Sequence, residues 1–144
     1  MIETAQTIFV YGTLRRDPAH ELYHLIARHG RFVEDAKVRG KLFDLGAYPG
    51  MTLEADNGYV SGELYEIMTN WPEVIAGVDK YEGCTTDDPE PHEYRRELVR
   101  ALRSAGTPVL AWAYVLNRDP RGFRLIESGD YLSWRISRSR AVGG

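Results

Sequence analysis

The sequence predicts a mixed α+β domain with a closed or barrel-like sheet and a few short flanking helices. Three observations lead to this prediction. The chain has 144 residues, which is about the length of one domain. Apolar and polar side chains alternate in several segments, as they do in strands, and repeat at helical spacing in two others. The strands and helices do not alternate regularly along the chain, which favours the mixed α+β class.

The chain begins with a strand, a turn and a helix. Residues 6–11 are rich in β-branched and aromatic side chains and end at Gly12, which predicts a buried strand that leads into a tight turn. Asp17 and Pro18 are typical of a helix N-terminus, and Gly30 is typical of a helix C-terminus. The apolar stripe of this predicted helix consists of Leu22, Leu25 and Ile26.

Sheet structure is predicted for much of the remaining chain. Residues 32–45 carry apolar side chains between charged ones, and the Tyr-Pro-Gly sequence of residues 48–50 predicts a turn that ends this segment. Residues 59–67 alternate cleanly, which predicts a strand. Two further strands are predicted at 94–102 and 109–116, joined by a Gly-Thr-Pro turn.

A second helix is predicted between Asn70 and Gly83. Asn70 is a typical N-cap residue, Pro72 lies in the first turn, and Glu73 stands where a capping box requires an acidic side chain. The chain ends with a basic and then glycine-rich segment from about residue 136, which predicts a loose tail. We therefore expect one domain over residues 1–144 with a tail at its C-terminal end.

Composition and charge argue against several functional classes. Hydrophobic residues make up 43% and charged residues 27%, which is ordinary for a globular protein. The net charge of −3 provides no overall positive field for nucleic acid. The sequence has no apolar run of membrane-spanning length, no signal-peptide pattern and one cysteine, Cys84. These features predict a cytoplasmic protein without a nucleic-acid or membrane partner, and they leave the oligomeric state open.

One short motif indicates zinc chemistry. Residues 20–24 (His-Glu-Leu-Tyr-His) match the pattern in which two histidines bind Zn²⁺ and a glutamate activates the metal-bound water. The helical wheel, however, places His20 and His24 nearly opposite the apolar stripe and towards solvent. The glycine and histidine that extend the pattern in some zinc peptidases are absent from positions 27 and 30. We therefore predict no metal and no other cofactor, and keep a zinc hydrolase as an alternative.

A carboxylate near the end of the second predicted helix is a stronger candidate for chemistry. The helical wheel places Glu82 on the apolar face, at the C-terminal end, where both burial and the helix dipole disfavour a negative charge. Both effects would raise its pKa, which makes Glu82 a candidate general acid or base. Alternatively, the helix ends earlier and Glu82 points to water. The apolar face consists of Trp71, Val74, Ile75, Val78 and Tyr81.

Several segments together resemble a known enzyme family. Phe9-Val10-Tyr11-Gly12-Thr13-Leu14-Arg15 resembles the strand and turn that open gamma-glutamylcyclotransferase-like domains, and is especially similar to gamma-glutamylamine cyclotransferases. The resemblance spans about residues 8–134. The later segments that carry it, in the family's order, are Tyr48-Pro49-Gly50, Val60-Ser61-Gly62-Glu63-Leu64-Tyr65, Asp79-Lys80-Tyr81-Glu82-Gly83, Tyr94-Arg95 and Gly129-Asp130-Tyr131.

The resemblance implies a small mixed barrel with flanking helices and a metal-independent enzyme. Such an enzyme cyclises a gamma-glutamyl amine or peptide to 5-oxoproline and releases the amine. By position, the resemblance implies that Tyr11, Gly12, Thr13 and Leu14 bind the gamma-glutamyl part of the substrate and that Glu82 transfers the proton. Independently of the resemblance, backbone N–H groups at a glycine-containing turn suit a carboxylate or a developing oxyanion.

Alternatives to this function stay open on the sequence alone. The turn after residue 11 is also compatible with a plain strand exit, and the same fold can serve as a non-catalytic or repurposed small-molecule binding domain. Tyr114 and Tyr131 could border the pocket, but we leave them out of the site, because aromatic side chains are more often core than ligand contacts. Arg15 and Arg16 are interpreted as solvated side chains outside the site.

Overall fold

Seven strands and three helices make up the part of the chain that the structure, a computed structural model, describes: residues 6–12, 21–53 and 58–143. The side chains of residues 138–143 lie outside this description. The strands are β1 (Thr7–Val10), β2 (Gly30–Asp44), β3 (Pro49–Leu53), β4 (Tyr59–Ile67), β5 (Tyr94–Arg103), β6 (Pro108–Leu116) and β7 (Arg124–Leu125). The helices are α1 (Glu21–His29), α2 (Trp71–Tyr81) and α3 (Tyr131–Gly143).

Five of the strands close into a barrel. They follow the order β2-β4-β1-β6-β5, and β5 pairs again with β2, between Ala36↔Arg103 and Val38↔Ala101. The pairing of β1 with β6 is parallel, and the other pairings are antiparallel. The second half of the long strand β2 leaves the barrel and pairs with β3 and β7. The α+β class with a barrel-like sheet, predicted from the sequence, is confirmed.

Strand β1 separates the two parts of the hydrophobic core. Phe9 belongs to the cluster formed by inward-facing residues of the barrel strands, whereas Ile8 and Val10 belong to a second cluster with residues of α1 and α2. This division follows from the two-residue period of a strand, which sends successive side chains to opposite faces. Val74 and Val78 anchor α2 in the second cluster, and both are fully buried. The end of α2 is thereby held beside the end of β1.

The helices agree in part with the sequence predictions. Helix α1 turns Ile26 into the core and leaves His24 exposed, and Gly30 follows its last residue, as predicted. The predicted start of this helix at Asp17 and Pro18 lies outside the described residues. Helix α2 ends at Tyr81, and Gly83 follows with a φ of +69°, the left-handed conformation typical of a glycine after a helix. No helix in the described ranges is both long and apolar enough to span a membrane.

The predicted capping box of α2 is wrong. Asn70 is the N-cap residue, but it has a φ of 54° and a ψ of 41°, and its side chain makes no capping hydrogen bond. Its Nδ2 lies 3.4 Å from His29 Nδ1 instead. The left-handed backbone of Asn70 differs from the extended conformation from which a side chain caps the first turn.

Two segments differ from the sequence predictions. Residues 48–50 were expected to form a turn, but Pro49 begins β3; an edge strand accepts proline at its first position because the missing N–H is not needed for pairing there. Helix α3 occupies the segment for which the sequence predicts a tail. Its N-terminus is capped by Asp130, whose Oδ1 accepts hydrogen bonds from the N–H groups of Leu132 at 3.1 Å and Ser133 at 3.3 Å.

Candidate active site

A cavity of about 290 Å³ opens where the C-terminal end of β1 meets the C-terminal end of α2. The predicted catalytic residue Glu82 lies on its wall, and so do Tyr11 and Gly12 from the predicted binding turn. The other two residues of that turn, Thr13 and Leu14, lie outside the described residues. The full lining consists of Phe9, Val10, Tyr11, Gly12, Tyr48, Pro49, Val78, Tyr81, Glu82, Glu93, Tyr94 and Tyr114.

Glu82 reaches the cavity because the hydrogen bonding of α2 continues to it. Its N–H donates to the Val78 carbonyl at 2.9 Å, and the backbone of Glu82 is still right-handed, with a φ of −77° and a ψ of −5°. The left-handed residue Gly83 then turns the chain away. The side chain is half-buried on the cavity wall, so the alternative in which the helix ends early and Glu82 points to bulk water does not apply.

The environment of Glu82 favours its protonated form. Burial is the main cause that raises its pKa from 4.5 to about 7, and the negative charges of Asp79 and Glu93 add to the effect. Within the described residues, no hydrogen-bond donor or cation contacts its carboxylate to oppose them. A carboxyl group with a pKa near 7 can both accept and donate a proton at neutral pH, as general acid–base catalysis requires.

Tyr11 fixes the strand end that carries the predicted binding turn. Its buried hydroxyl donates to the Tyr114 carbonyl at 2.6 Å and accepts from the Met51 N–H at 3.1 Å. Burial, and then the charge of Glu82, raise the pKa of this phenol, so the hydroxyl stays protonated. Gly12 follows directly and packs against Pro49, whose Cγ would lie 3.0 Å from a Cβ at position 12. A larger residue would therefore crowd the wall at this point.

A group of polar aromatic residues forms the opposite wall. The Tyr94 hydroxyl donates to the Pro49 carbonyl at 2.5 Å, and the Tyr48 hydroxyl donates to Glu93 Oε1 at 2.6 Å. Arg118 Nη1 donates to the other oxygen of Glu93 at 3.2 Å. These hydrogen bonds hold the segment before β3 next to the start of β5, and together they form one wall of the cavity.

Sequence reasoning did not identify most of this wall. Tyr114 was left out of the site, but it lines the cavity. Tyr131, which was also left out, lies in the barrel core. Tyr48 and Tyr94 occur in the segments that resemble the family, and this was the one available signal for them. Glu93 carries no local signal, because only the pairing of β5 and β6 brings it to the cavity.

The zinc alternative lacks a set of ligands in the described part of the chain. His20 lies outside the described residues, and His24 is exposed on α1. Across residues 6–12, 21–53 and 58–143, no three His, Cys, Asp or Glu side chains are grouped so that they could hold a metal ion.

Comparisons with known proteins agree with the fold. The family model "Gamma-glutamyl cyclotransferase, AIG2-like" matches residues 8–133. The Escherichia coli "Gamma-glutamylcyclotransferase family protein YtfP" is 32% identical over 126 residues, which cover 87% of this chain and 95% of that protein. The solution structure of E. coli ytfP matches with a TM-score of 0.61 at 32% identity, covering 90% of this chain and 98% of that one.

Two further solved structures share the fold. The crystal structure of YkqA from Bacillus subtilis matches with a TM-score of 0.68 and 29% identity; the match covers 93% of this chain but 42% of YkqA, which is the longer protein. The crystal structure of an aig2-like protein from Mus musculus has a TM-score of 0.69 at 23% identity and covers 88% of this chain and 87% of that one. At that identity, the mouse structure supports the fold alone.

Proposed function

This chain belongs to the gamma-glutamyl cyclotransferase, AIG2-like family, and on that premise we propose that it cyclises a gamma-glutamyl amine or peptide to 5-oxoproline and releases the amine. In this proposal Glu82 is the general acid and base. The observation that carries it is the half-buried carboxylate of Glu82, with its pKa raised to about 7, in a cavity shared with Tyr11 and Gly12.

The proposed reaction is an intramolecular aminolysis. The α-amine of the gamma-glutamyl group attacks its own γ-carbonyl carbon, so that a C–N bond forms and closes a five-membered ring. The bond from this carbon to the leaving nitrogen breaks. The α-ammonium group first gives one proton to Glu82 and then attacks as the neutral amine. The ring nitrogen loses a second proton when the ring closes. Both protons end on the leaving nitrogen, which departs as an ammonium group, and Glu82 ends the cycle ionised as it began.

The raised pKa of Glu82 lowers the cost of the first proton transfer. With ordinary pKa values of about 4.3 for glutamate and about 8 for an α-amine, the transfer is uphill by about 5 kcal/mol. With a pKa of about 7, the cost falls to about 1.4 kcal/mol. Because both reacting groups belong to one molecule, a cavity that holds the substrate curled gains much of the ~7–11 kcal/mol available from proximity.

The turn after β1 is proposed to bind the substrate's charged end. Backbone N–H groups at Gly12 and at the following residues Thr13 and Leu14 would receive the α-carboxylate or the developing oxyanion. The place of Gly12 on the cavity wall supports this part of the proposal, because a glycine offers only its backbone to a ligand there. The cytoplasmic location and the absence of a cofactor stay predictions from the sequence.

The proposal is tested by assaying gamma-glutamyl amines and peptides for release of 5-oxoproline. We expect the wild type to convert at least one compound and Glu82→Gln to lose about 100-fold or more of that rate, as for removal of a general acid–base. Glu73→Gln is the matched control, because Glu73 is an exposed glutamate on the same helix. Wild-type turnover in Glu82→Gln would contradict the assignment. Binding without turnover, seen by calorimetry, would favour the non-catalytic binding domain.

A further inference from the structure

Asp79 lies one helical turn before Glu82 and makes a set of directed contacts that the proposed reaction does not yet use. Its Oδ1 accepts hydrogen bonds from the Tyr114 hydroxyl at 2.6 Å and from Arg96 Nε at 2.9 Å. Its Oδ2 accepts from Arg96 Nη2 at 3.2 Å. The carboxylate is mostly buried, with 18% of its side chain exposed. Three nitrogen and oxygen donors therefore fix both oxygens of one side chain on α2, and Cys84 Sγ lies 4.0 Å from Oδ1 as a weaker fourth donor.

Arg96 and Tyr114, which both donate to Asp79, lie on adjacent strands of the barrel. Arg96 on β5 and Tyr114 on β6 are directly opposite each other in the register of the two strands. The guanidinium of Arg96 also lies over the ring of Trp112, with its Cζ 4.7 Å from the ring centroid. Asp79 thus joins the last turn of α2 to two paired strands at one point.

The same contacts continue to the strand that carries the binding turn. Tyr114 donates its hydroxyl to Asp79 and accepts, at its carbonyl, the hydroxyl of Tyr11. Tyr11 in turn accepts from the Met51 N–H. This series of hydrogen bonds, joined at Tyr114 by its own side chain and backbone, therefore links α2 through β6 to the end of β1 and to β3.

We propose that Asp79 is a positioning residue that holds the Glu82 carboxylate in register with the turn at Gly12. This inference rests on the proposed function, because it assigns Asp79 a role in the same reaction. Charge-assisted hydrogen bonds to a carboxylate are strong and directional, which suits them to orientation. Displacement of a catalytic group by about 1 Å can cost about 100-fold in rate.

The charge of Asp79 also acts on Glu82. After burial, it is the largest cause of the raised pKa of Glu82, and Glu93 is the other charged group that contributes. The cation of Arg96 is paired with Asp79 itself, and that of Arg118 with Glu93. Removal of the charge of Asp79 should therefore lower the pKa of Glu82 towards its ordinary value.

The test is Asp79→Asn, measured as kcat and KM against pH with a gamma-glutamyl substrate of the wild type. We expect kcat to fall about 10- to 100-fold and KM to change less than about 3-fold, because the misplaced group acts on the reaction rather than on binding. The acid limb of the kcat/KM profile should move to lower pH. Glu34→Gln is the matched control: Glu34 also accepts from an arginine, Arg103, at 2.7 Å, and 23% of its side chain is exposed.

Specific results would overturn this role. If Asp79→Asn keeps the wild-type kcat and acid limb, or if Glu34→Gln loses as much kcat, Asp79 is not a positioning residue. Should Asp79→Asn not fold, as judged by circular dichroism, Tyr114→Phe removes one hydroxyl of the series and keeps the charge of Asp79. It should lower kcat and leave the acid limb in place; unchanged kcat would overturn the role.

The proposed function and the role of Asp79 can fail separately. A wild type that releases no 5-oxoproline from any compound contradicts the proposed function. In that case, the carbon-13 titration of the Glu82 carboxyl group decides about Asp79. We expect a lower pKa in Asp79→Asn and an unchanged one in Glu34→Gln, and equal values in all three proteins would overturn the placement of Glu82 by Asp79.

Discussion

Replacement of Glu82 by glutamine should stabilise the protein at pH 8 and change its stability little at pH 4.5. The native state raises the pKa of Glu82 from 4.5 to about 7, so it binds this proton more tightly than the unfolded chain. The stability that the protonated group contributes is fully present below about 4.5 and is lost as the pH rises through about 7. Glutamine is neutral and of similar shape, so it retains that contribution at all pH values.

The size of the effect follows from the same shift. The difference between 4.5 and about 7 corresponds to at most about 3 kcal/mol of unfolding free energy at pH 8, and to less than about 0.5 kcal/mol at pH 4.5. The value at pH 8 is an upper bound, because Glu82 is half-buried and solvent at the mouth of the cavity screens its charge. We expect the free energy of unfolding of Glu82→Gln to exceed that of the wild type by about 2–3 kcal/mol at pH 8.

The free energy of unfolding is measured by urea titration, followed by circular dichroism, at pH 4.5 and pH 8. The three proteins compared are the wild type, Glu82→Gln and Glu73→Gln. The difference between each variant and the wild type removes the contribution of all other titrating groups. Glu73→Gln should behave alike at both pH values, because Glu73 is exposed. If the unfolding free energy of Glu82→Gln differs from that of the wild type by the same amount at both pH values, the raised pKa is refuted. The physical basis for Glu82 as the base is then refuted as well.

Three further predictions address activity and the framework of the site. The acid limb of the wild-type kcat/KM profile for 5-oxoproline release should have its midpoint at about pH 7, since the base must be ionised in the free enzyme; a midpoint near 4.5 would contradict this. Tyr11→Phe should lower the free energy of unfolding by about 1–3 kcal/mol in urea titrations, because the buried Met51 N–H loses its hydroxyl acceptor. Gly129→Ala should cost at least about 2 kcal/mol in the same assay, because φ at this position is +69° and a Cβ would overlap the Tyr59 carbonyl oxygen.

Local patterns in the sequence were sufficient to predict much of the fold. The strand predicted at residues 59–67 has the bounds of β4, because its alternation is uninterrupted. The position of Glu82 on the apolar side of a helix end was also predicted, because a helical wheel depends only on spacing along the chain. Where a local signal is contradicted by pairing, as at Pro49, the prediction was wrong.

Local sequence patterns could not predict most of the cavity wall, because distant segments of the chain form it. Tyr48, Glu93 and Tyr114 are far apart in the chain and become neighbours only through the pairing of β2, β3, β5 and β6. The series of hydrogen bonds from Asp79 to Met51 likewise crosses four elements. Helix α3 was missed although Asp130 is a typical N-cap residue, because its apolar residues do not form the clear stripe seen in α2.

The parallel pairing of β1 with β6 has a consequence for synthesis on the ribosome. β1 is synthesised about 100 residues before its partner β6, where Trp112 meets Ile8. At translation rates of about 5–20 residues per second, one edge of this apolar strand stays open for about 5–20 s. Unpaired apolar edges promote aggregation, so the nascent chain carries this risk during that interval. The contact of Tyr11 with Tyr114 forms only after it, so the cavity is not complete before β6 has been synthesised.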